Sequence, residues 1–417
     1  MAPGDQIMSL ENELQQDLAA LERFGYSPDA GFRRLAWSRE LRASLDWLAS
    51  RMTEAGLDVT LDPAGNLLGR WGPGSGPVIL IGSHFDTVER GGRLDGALGV
   101  LAGLEVVRRL QRHGAPLSRP VWVIAFMDEE GVRFGEAMLG SRAFTGEALD
   151  PDLGERVDSS GESLAAAMAA WGRRPESAHT AHRVSDVGVY IELHIEQGPV
   201  LDATAKDIGI VTAIVGLEGL HVTVEGQPNH AGTTPMSYRR DPVAAAARLI
   251  SSFDAAAREG EFLATVGKLT VERGGMNTIA GRCEFSVDLR AGTADALTGA
   301  RRRLDQLVEA VRGTHRVKVR AETLYRIDPV EMSPAVVDSL EHAAHEVGAT
   351  TLRMSSGAGH DAMVLSRKVP TGMMFVPSRG GISHAPQEHT DERAIELAVR
   401  ALEHAVRELV KDIGPGR

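Results

Sequence analysis

Apolar positions along this chain follow two patterns. Residues 78–81 and 121–127 are unbroken apolar runs, and residues 189–193 and 371–376 read with them as buried strands. A helical stretch begins at Asp95 and runs to about Leu110, between the first two runs. Two buried strands flanking a helix make a βαβ unit, hence a parallel sheet covered on both faces. Leu41, Leu45, Leu48 and Met52 recur at helical spacing over residues 39–55, with Ser38 placed as N-cap and Gly56 at the far end. Further helices are predicted over residues 7–25, 162–171, 333–347 and 391–411. Residues 57–61 and 66–71 read as paired strands, followed by a turn at 72–76.

The second pattern begins near Thr212. Residues 218–225, 264–272 and 282–290 alternate apolar and polar, as half-exposed antiparallel strands do. Amphipathic helices over 242–258 and 293–312 accompany them. The expectation is therefore an α/β protein in two domains. Residues 1–212 and 331–417 would form a mixed, largely parallel sheet with helices on both faces. Residues 213–330 would form an inserted α+β sandwich of four antiparallel strands and two helices.

Composition removes several functions. The 417 residues are 43% hydrophobic and 24% charged, ordinary for a globular protein. A net charge of −12 argues against a nucleic-acid partner, which needs a basic face, and fits anionic membranes poorly. The only cysteine, Cys283, lies in an alternating apolar stretch and reads as a core residue. No intramolecular disulfide is possible, which suits a reducing cytoplasm. The first residues lack a basic end followed by an apolar block, so no signal peptide is expected. No uncharged apolar run is long enough to span a bilayer.

The chemistry gathers at strand ends. His84 and Asp86 follow the first strand, two apart and so aimed the same way, and Asp95 follows a tight loop at Gly91 and Gly92. Alone, the segment reads equally as a capped strand with solvated acids. The second strand, however, ends in Asp128, Glu129 and Glu130, the third in His194, Glu196 and Gln197, and the last leads through SRGGISH to His384. Open α/β sheets place ligands beyond these carboxyl ends. His84, Asp95, Glu130, His194 and His384 exceed what one tetrahedral zinc takes, and suit two divalent metals (Zn2+, or Mn2+, Co2+ or Ni2+) sharing a carboxylate. Asp86 is placed to orient His84. Glu129, adjacent to the ligands but left over, reads as a general base. His342 and His345 have no acidic companion and read as structural. No Gly-x-Ser-x-Gly elbow competes.

GSHFDTVERGGRLDG, DEEGVRF, ELHIEQGPVL, NHAGTTPM, GGMNTIAG, SVDLR, SGAGHDAM and FVPSRGGISHAPQEHT together resemble the hydantoinase/carbamoylase branch of the M20 metallopeptidase-like family, in order from about residue 20 to the C-terminus. The resemblance implies the same five ligands with Asp95 bridging, and Glu129 as base. It implies substrate contacts from Gln197, His230, Asn277, Arg290 and Gly359, with His230 stabilising an oxyanion. It implies that the inserted domain serves as lid and dimerisation domain, so that the protein is a homodimer and His230 completes the partner's site. The activity implied is hydrolysis of an N-carbamoyl-L-amino acid to amino acid, carbon dioxide and ammonia. Allantoate amidohydrolase and β-ureidopropionase are the alternatives, with an aminopeptidase or a non-catalytic binding protein further off. Residue types agree: an arginine fork grips a carboxylate in two places, and Asn277 and Gln197 can bond a ureido group. Arg290 as a surface ion pair and His230 as a turn residue are the plainer readings.

Overall fold

A computed structural model describes residues 13–72, 76–114, 117–272 and 274–411. Residues 7–12 of the first expected helix and the centre of the turn at 72–76 lie outside the described residues. The chain divides into two compact units: Met1–Thr212 with Met332–Arg417, and Ala213–Glu331.

The first unit opens with α1 (Glu13–Ala20) and α2 (Arg39–Glu54), then β1 (Asp58–Leu61), β2 (Leu67–Trp71), β3 (Val78–His84), α3 (Ala97–Arg112), β4 (Val121–Phe126), α4 (Leu139–Thr145), β5 (Val187–Ile195) and β6 (Ile208–Ile214). The second unit holds β7 (Gly216–Glu225), α5 (Pro242–Glu259), β8 (Phe262–Thr265), β9 (Leu269–Glu272), β10 (Arg282–Ala291), α6 (Ala294–His315) and β11 (Lys318–Ile327). The chain then returns through α7 (Pro334–Glu346), β12 (Thr351–Ser356), α8 (Asp361–Leu365), β13 (Thr371–Val376) and α9 (Glu392–Lys411).

The first unit's sheet runs β6–β13–β5–β3–β4–β2–β1, with β12 also on β6. Its centre is parallel: β13 on β5, β5 on β3, β3 on β4. β6 and β2 flank that core antiparallel, so the sheet is mixed. All seven residues of β3 and all six of β13 are buried, as strands covered on both faces must be. α3 packs on β3, β4 and β5, and α9 packs on α3 and α7. Ser38 caps α2, its Oγ accepting the N–H of Leu41 at 3.1 Å. The expected first helix is shorter than its pattern. It ends at Ala20, tightens to a 3-10 turn at Leu21–Arg23, and the chain turns at Gly25, whose φ of 72° suits glycine.

The second unit's sheet runs β8–β10–β7–β11, all antiparallel, with β9 also on β10. The stretch at 264–272 is thus two strands rather than one. Lys268 N donates to Ser286 Oγ and Ser286 N donates to Lys268 O, both at 3.1 Å, stepping the chain between two partners on β10. Gly267 interrupts the alternation there. The sheet therefore has five strands in four positions, against four strands expected. α5 and α6 bury Leu249, Phe253, Leu297 and Leu304 against Val222, Phe285 and Leu289. Each such side chain contributes roughly 1.5–3 kcal/mol over leaving it exposed. Leu263, Leu269, Val271 and Tyr325 remain exposed on the same sheet. Among the described residues no helix is long and apolar enough to cross a membrane.

Candidate metal centre

Four adjacent parallel strands deliver the chemistry to one edge. β3 ends in His84, β4 runs on into Asp128–Glu130, β5 carries His194, and β13 leads to His384. Asp95 arrives from the start of α3. Its neighbour Gly96 has φ 65°, and a Cβ there would overlap the His84 imidazole, so Asp95 and His84 can approach only across a glycine.

The Asp95 carboxylate faces two ways. Oδ1 stands 3.2 Å from His194 Nε2 and 3.7 Å from His84 Nε2. Oδ2 stands 3.1 Å from His384 Nε2, which is itself 3.6 Å from Glu130 Oε1. The two imidazole Nε2 atoms of His84 and His194 are 3.4 Å apart. Tetrahedral donors at about 2.1 Å from a metal stand roughly 3.4 Å from one another. The separations therefore fit two cations, one among His84, His194 and Asp95, the other among His384, Glu130 and Asp95. The tautomers fit as well. His84 Nδ1 donates to the Asp86 backbone O at 3.1 Å, and His194 Nδ1 to Ile195 O at 2.9 Å, so loss of the Nε2 protons that otherwise bond Asp95 would free both lone pairs for a cation. Glu130 Oε1 is buried without a hydrogen-bond partner among the described residues.

Electrostatics point the same way. One oxygen each of Glu129 and Glu130 and a nitrogen of His84 lie within 4.8 Å of one another. Two like charges at that distance repel by roughly 3–4 kcal/mol at an effective dielectric near 20. Burial, with Glu130, Asp361 and Asp86 close by, accordingly raises Glu129 well above the usual carboxylate range despite His84. Burial and Asp95 push Glu130 up to about 7. Burial also works against a charged Asp95, but hydrogen bonds from three imidazoles hold it well below its ordinary value. A cation relieves the repulsion that these acids otherwise settle by taking protons.

Asp86 is arranged differently from the sequence expectation. Its carboxylate Oδ1 is 3.8 Å from His84 Nδ1, beyond hydrogen-bond length, and its backbone carbonyl holds the ring instead. The carboxylate accepts the backbone N–H groups of Glu129 at 3.3 Å and Glu130 at 3.4 Å. Glu129 Oε2 lies 3.9 Å from His84 Nε2. Gln197, at φ 58°, donates its side-chain N–H to Asp95 Oδ2 at 3.1 Å.

Glu192 and Arg34 escaped the sequence reading, while His360, beside Gly359, is a residue the sequence reads as shaping its loop without touching metal. Glu192 accepts Ser83 Oγ–H at 2.7 Å and Ala362 N–H at 2.8 Å. His360 bonds Ser356 Oγ at 2.9 Å and sits edge-on to His194, its ring kept neutral chiefly by burial. Glu192, His194 and His360 form a ligand-like trio, but the first and last are already bonded to protein, and His194 directs Nε2 at Asp95. They brace the centre from behind. Arg34, fully buried, donates Nε–H to Phe85 O at 3.2 Å and feels Asp86, Glu388 and Asp95. A glutamate inside an otherwise apolar strand was the one available signal, at Glu192. Gly359 lies against Met138, where a Cβ would press on its terminal methyl.

His230, Asn277 and Arg290 belong to the second unit. His230 pairs with Thr278 in a two-residue ladder, which sets Asn277 beside it. His230 Nδ1 accepts the N–H groups of Gly232 at 3.0 Å and Thr233 at 3.2 Å, so the neutral ring carries its proton on Nε2. Both His230 and Asn277 are exposed. Arg290 grips Asp288 through Nε and Nη2 at 2.9 and 3.2 Å.

The chain is similar to known proteins over nearly its whole length. Peptidase family M20/M25/M40 matches residues 80–408. The chain is 41% identical over 403 residues to an N-carbamoyl-L-amino acid amidohydrolase of Geobacillus stearothermophilus, covering 95% of this chain and 98% of that one. It is 37% identical over 402 residues to an allantoate amidohydrolase of Bacillus subtilis, covering 95% and 97%. The crystal structure of a hydantoinase/carbamoylase family amidase from Burkholderia ambifaria superposes with a TM-score of 0.89 at 38% identity, covering 96% and 97%.

Proposed function

The chain belongs to peptidase family M20/M25/M40, and from that premise we propose that it is a metal-dependent amidohydrolase cleaving the linear amide C–N bond of an N-carbamoyl-L-amino acid. The products are the amino acid, carbon dioxide and ammonia. The observation that carries this reading is the divided Asp95 carboxylate, with two imidazoles on one oxygen and an imidazole and Glu130 beyond the other. His84, His194 and Asp95 would hold one divalent ion, and Asp95, Glu130 and His384 the second. The pair would supply Lewis-acid polarisation of the ureido carbonyl and of the attacking water.

Glu129 takes the proton of that water and passes it to the leaving nitrogen. Its backbone N–H is fixed by Asp86, so the base and the Glu130 ligand share one support. His230 offers Nε2–H to the developing oxyanion. Arg290 would exchange its pairing with Asp288 for the substrate carboxylate, and Asn277 and Gln197 would bond the ureido group. Gly359 keeps the approach open. The exposed apolar residues on the second unit's sheet support a homodimer paired through that unit, in which His230 serves the partner's site. Allantoate, which also carries a carboxylate and ureido groups, is the second reading, favoured by the Bacillus subtilis relative. Chelation followed by dialysis tests the assignment. Turnover should vanish on chelation and return with zinc, manganese, cobalt or nickel; turnover surviving complete metal removal would exclude it.

A further inference from the structure

We infer that Glu388 is a positioning residue of the metal centre, a buried clamp that sets Asp95 and His384 in register. This deepens the reading of those two residues as ligands and rests on it. Glu388 is only 8% exposed. Its Oε1 accepts the backbone N–H of Leu94 at 2.8 Å and of Asp95 at 3.1 Å. Its Oε2 accepts the Ser383 hydroxyl at 3.2 Å, next to His384. One carboxylate therefore ties the start of α3 to the loop beyond β13, segments nearly the whole unit apart in sequence. The loop before Asp95 is shaped around it: a Cβ at Gly92 would overlap the Glu388 carboxyl group.

The tie matters because of what it joins. Asp95 must present both oxygens, and ligand constellations tolerate errors of only about 0.5 Å. Besides Asp95 and Glu130, His384 Nε2 meets Gln197 Nε2 at 3.3 Å. His384 sits at φ 52°, a left-handed conformation that a non-glycine residue adopts only when its surroundings hold it, and its side chain is 48% exposed. His84 and His194, by contrast, are fixed by their own strands and by backbone carbonyls. Loss of Glu388 should therefore release the second cation site, formed by Asp95, Glu130 and His384, and spare the first.

The test uses the full chain and two readouts other than turnover: metal-to-protein ratio after dialysis, and the visible spectrum of the cobalt-loaded protein. The native chain should hold two metals. Glu388→Ala should keep one and bind the second ~10–100-fold more weakly, the usual range for losing an outer support of a ligand, with an altered cobalt spectrum. Glu388→Gln retains an oxygen for both N–H groups and an amide for Ser383, so the second metal should return to within a few-fold of native. Gly92→Ala displaces the carboxylate while leaving Glu388 in place, and should reproduce the loss even where Glu388→Ala fails to fold. A folded Glu388→Ala or Gly92→Ala chain with two metals at native affinity and a native spectrum overturns the clamp. So does a Glu388→Gln chain that loses the second metal as fully as alanine. A native chain that holds fewer than two metals overturns the metal-centre reading instead.

Discussion

The carboxylate of Asp86 accepts the backbone N–H of Glu129 at 3.3 Å and so fixes the end of β4 against the end of β3. Asp86→Ala removes that acceptor and the one for Glu130 N–H together. Metal affinity should fall ~10–100-fold, with turnover following metal occupancy. Titration against a competing chelator measures it, and unchanged affinity would show that the strand ends hold their own positions.

Glu129→Gln separates base from ligand. The variant should keep its full metal content and lose ~10²–10⁴-fold in kcat, the usual loss for a general base. Elemental analysis beside steady-state kinetics decides it, since a variant stripped of an ion would make Glu129 a ligand.

Metal uptake should release protons. Without metal, the hydrogen bond to Asp95 raises His384 to about 9, so at roughly pH 8 this imidazole is mostly protonated and must lose its proton to bind. Glu130, at about 7, is already mostly ionised there. Below pH 7 it takes up a proton too, so affinity should weaken and proton release increase as pH falls. Calorimetry in buffers of differing ionisation enthalpy should find at least one proton released at the higher pH, from His384 and from His84 and His194, which, against burial, their hydrogen bonds to Asp95 also raise. Uptake with no release would remove His384 from the ligand set.

Arg290→Lys keeps the charge and loses the fork. KM for carboxylate substrates should rise about tenfold, the equivalent of ~1.4 kcal/mol for one charge-assisted bond. Amidated substrates should be poor for the native enzyme and little worse for the variant. Equal losses on both would leave Arg290 to its pair with Asp288.

Mixed dimers test where His230 acts. His230→Ala and Glu129→Gln homodimers should each be nearly inactive. Co-folded, the site on the His230→Ala subunit has its own Glu129 and a partner's histidine. Random pairing should recover roughly a quarter of native activity. Mixtures shown by mass analysis to contain mixed dimers, yet inactive, would confine His230 to its own chain.

The centre was legible where donors sit at the ends of apolar runs, because a strand's alternation and a βαβ connection together place those ends side by side. His84, Glu130 and His194 are of this kind. Direction was less legible. Nothing in the order of residues tells that the Asp86 backbone carbonyl, rather than its carboxylate, holds His84. Glu388, Arg34 and Glu192 work through partners far away in sequence, so no local pattern announces them. The break at Gly267, which divides one expected strand into β8 and β9, does carry a local signal: the apolar positions slip by one residue there, from Ala264 and Val266 to Leu269 and Val271.

The most direct measurement is an ammonia-release assay of the metal-loaded protein against N-carbamoyl-L-amino acids, N-carbamoyl-β-alanine, allantoate and dipeptides, the dipeptides followed by amine release. N-carbamoyl-L-amino acids should give the highest kcat/KM, with allantoate next and dipeptides inert. Turnover of dipeptides alone would contradict a ureido hydrolase and make this centre that of a peptidase.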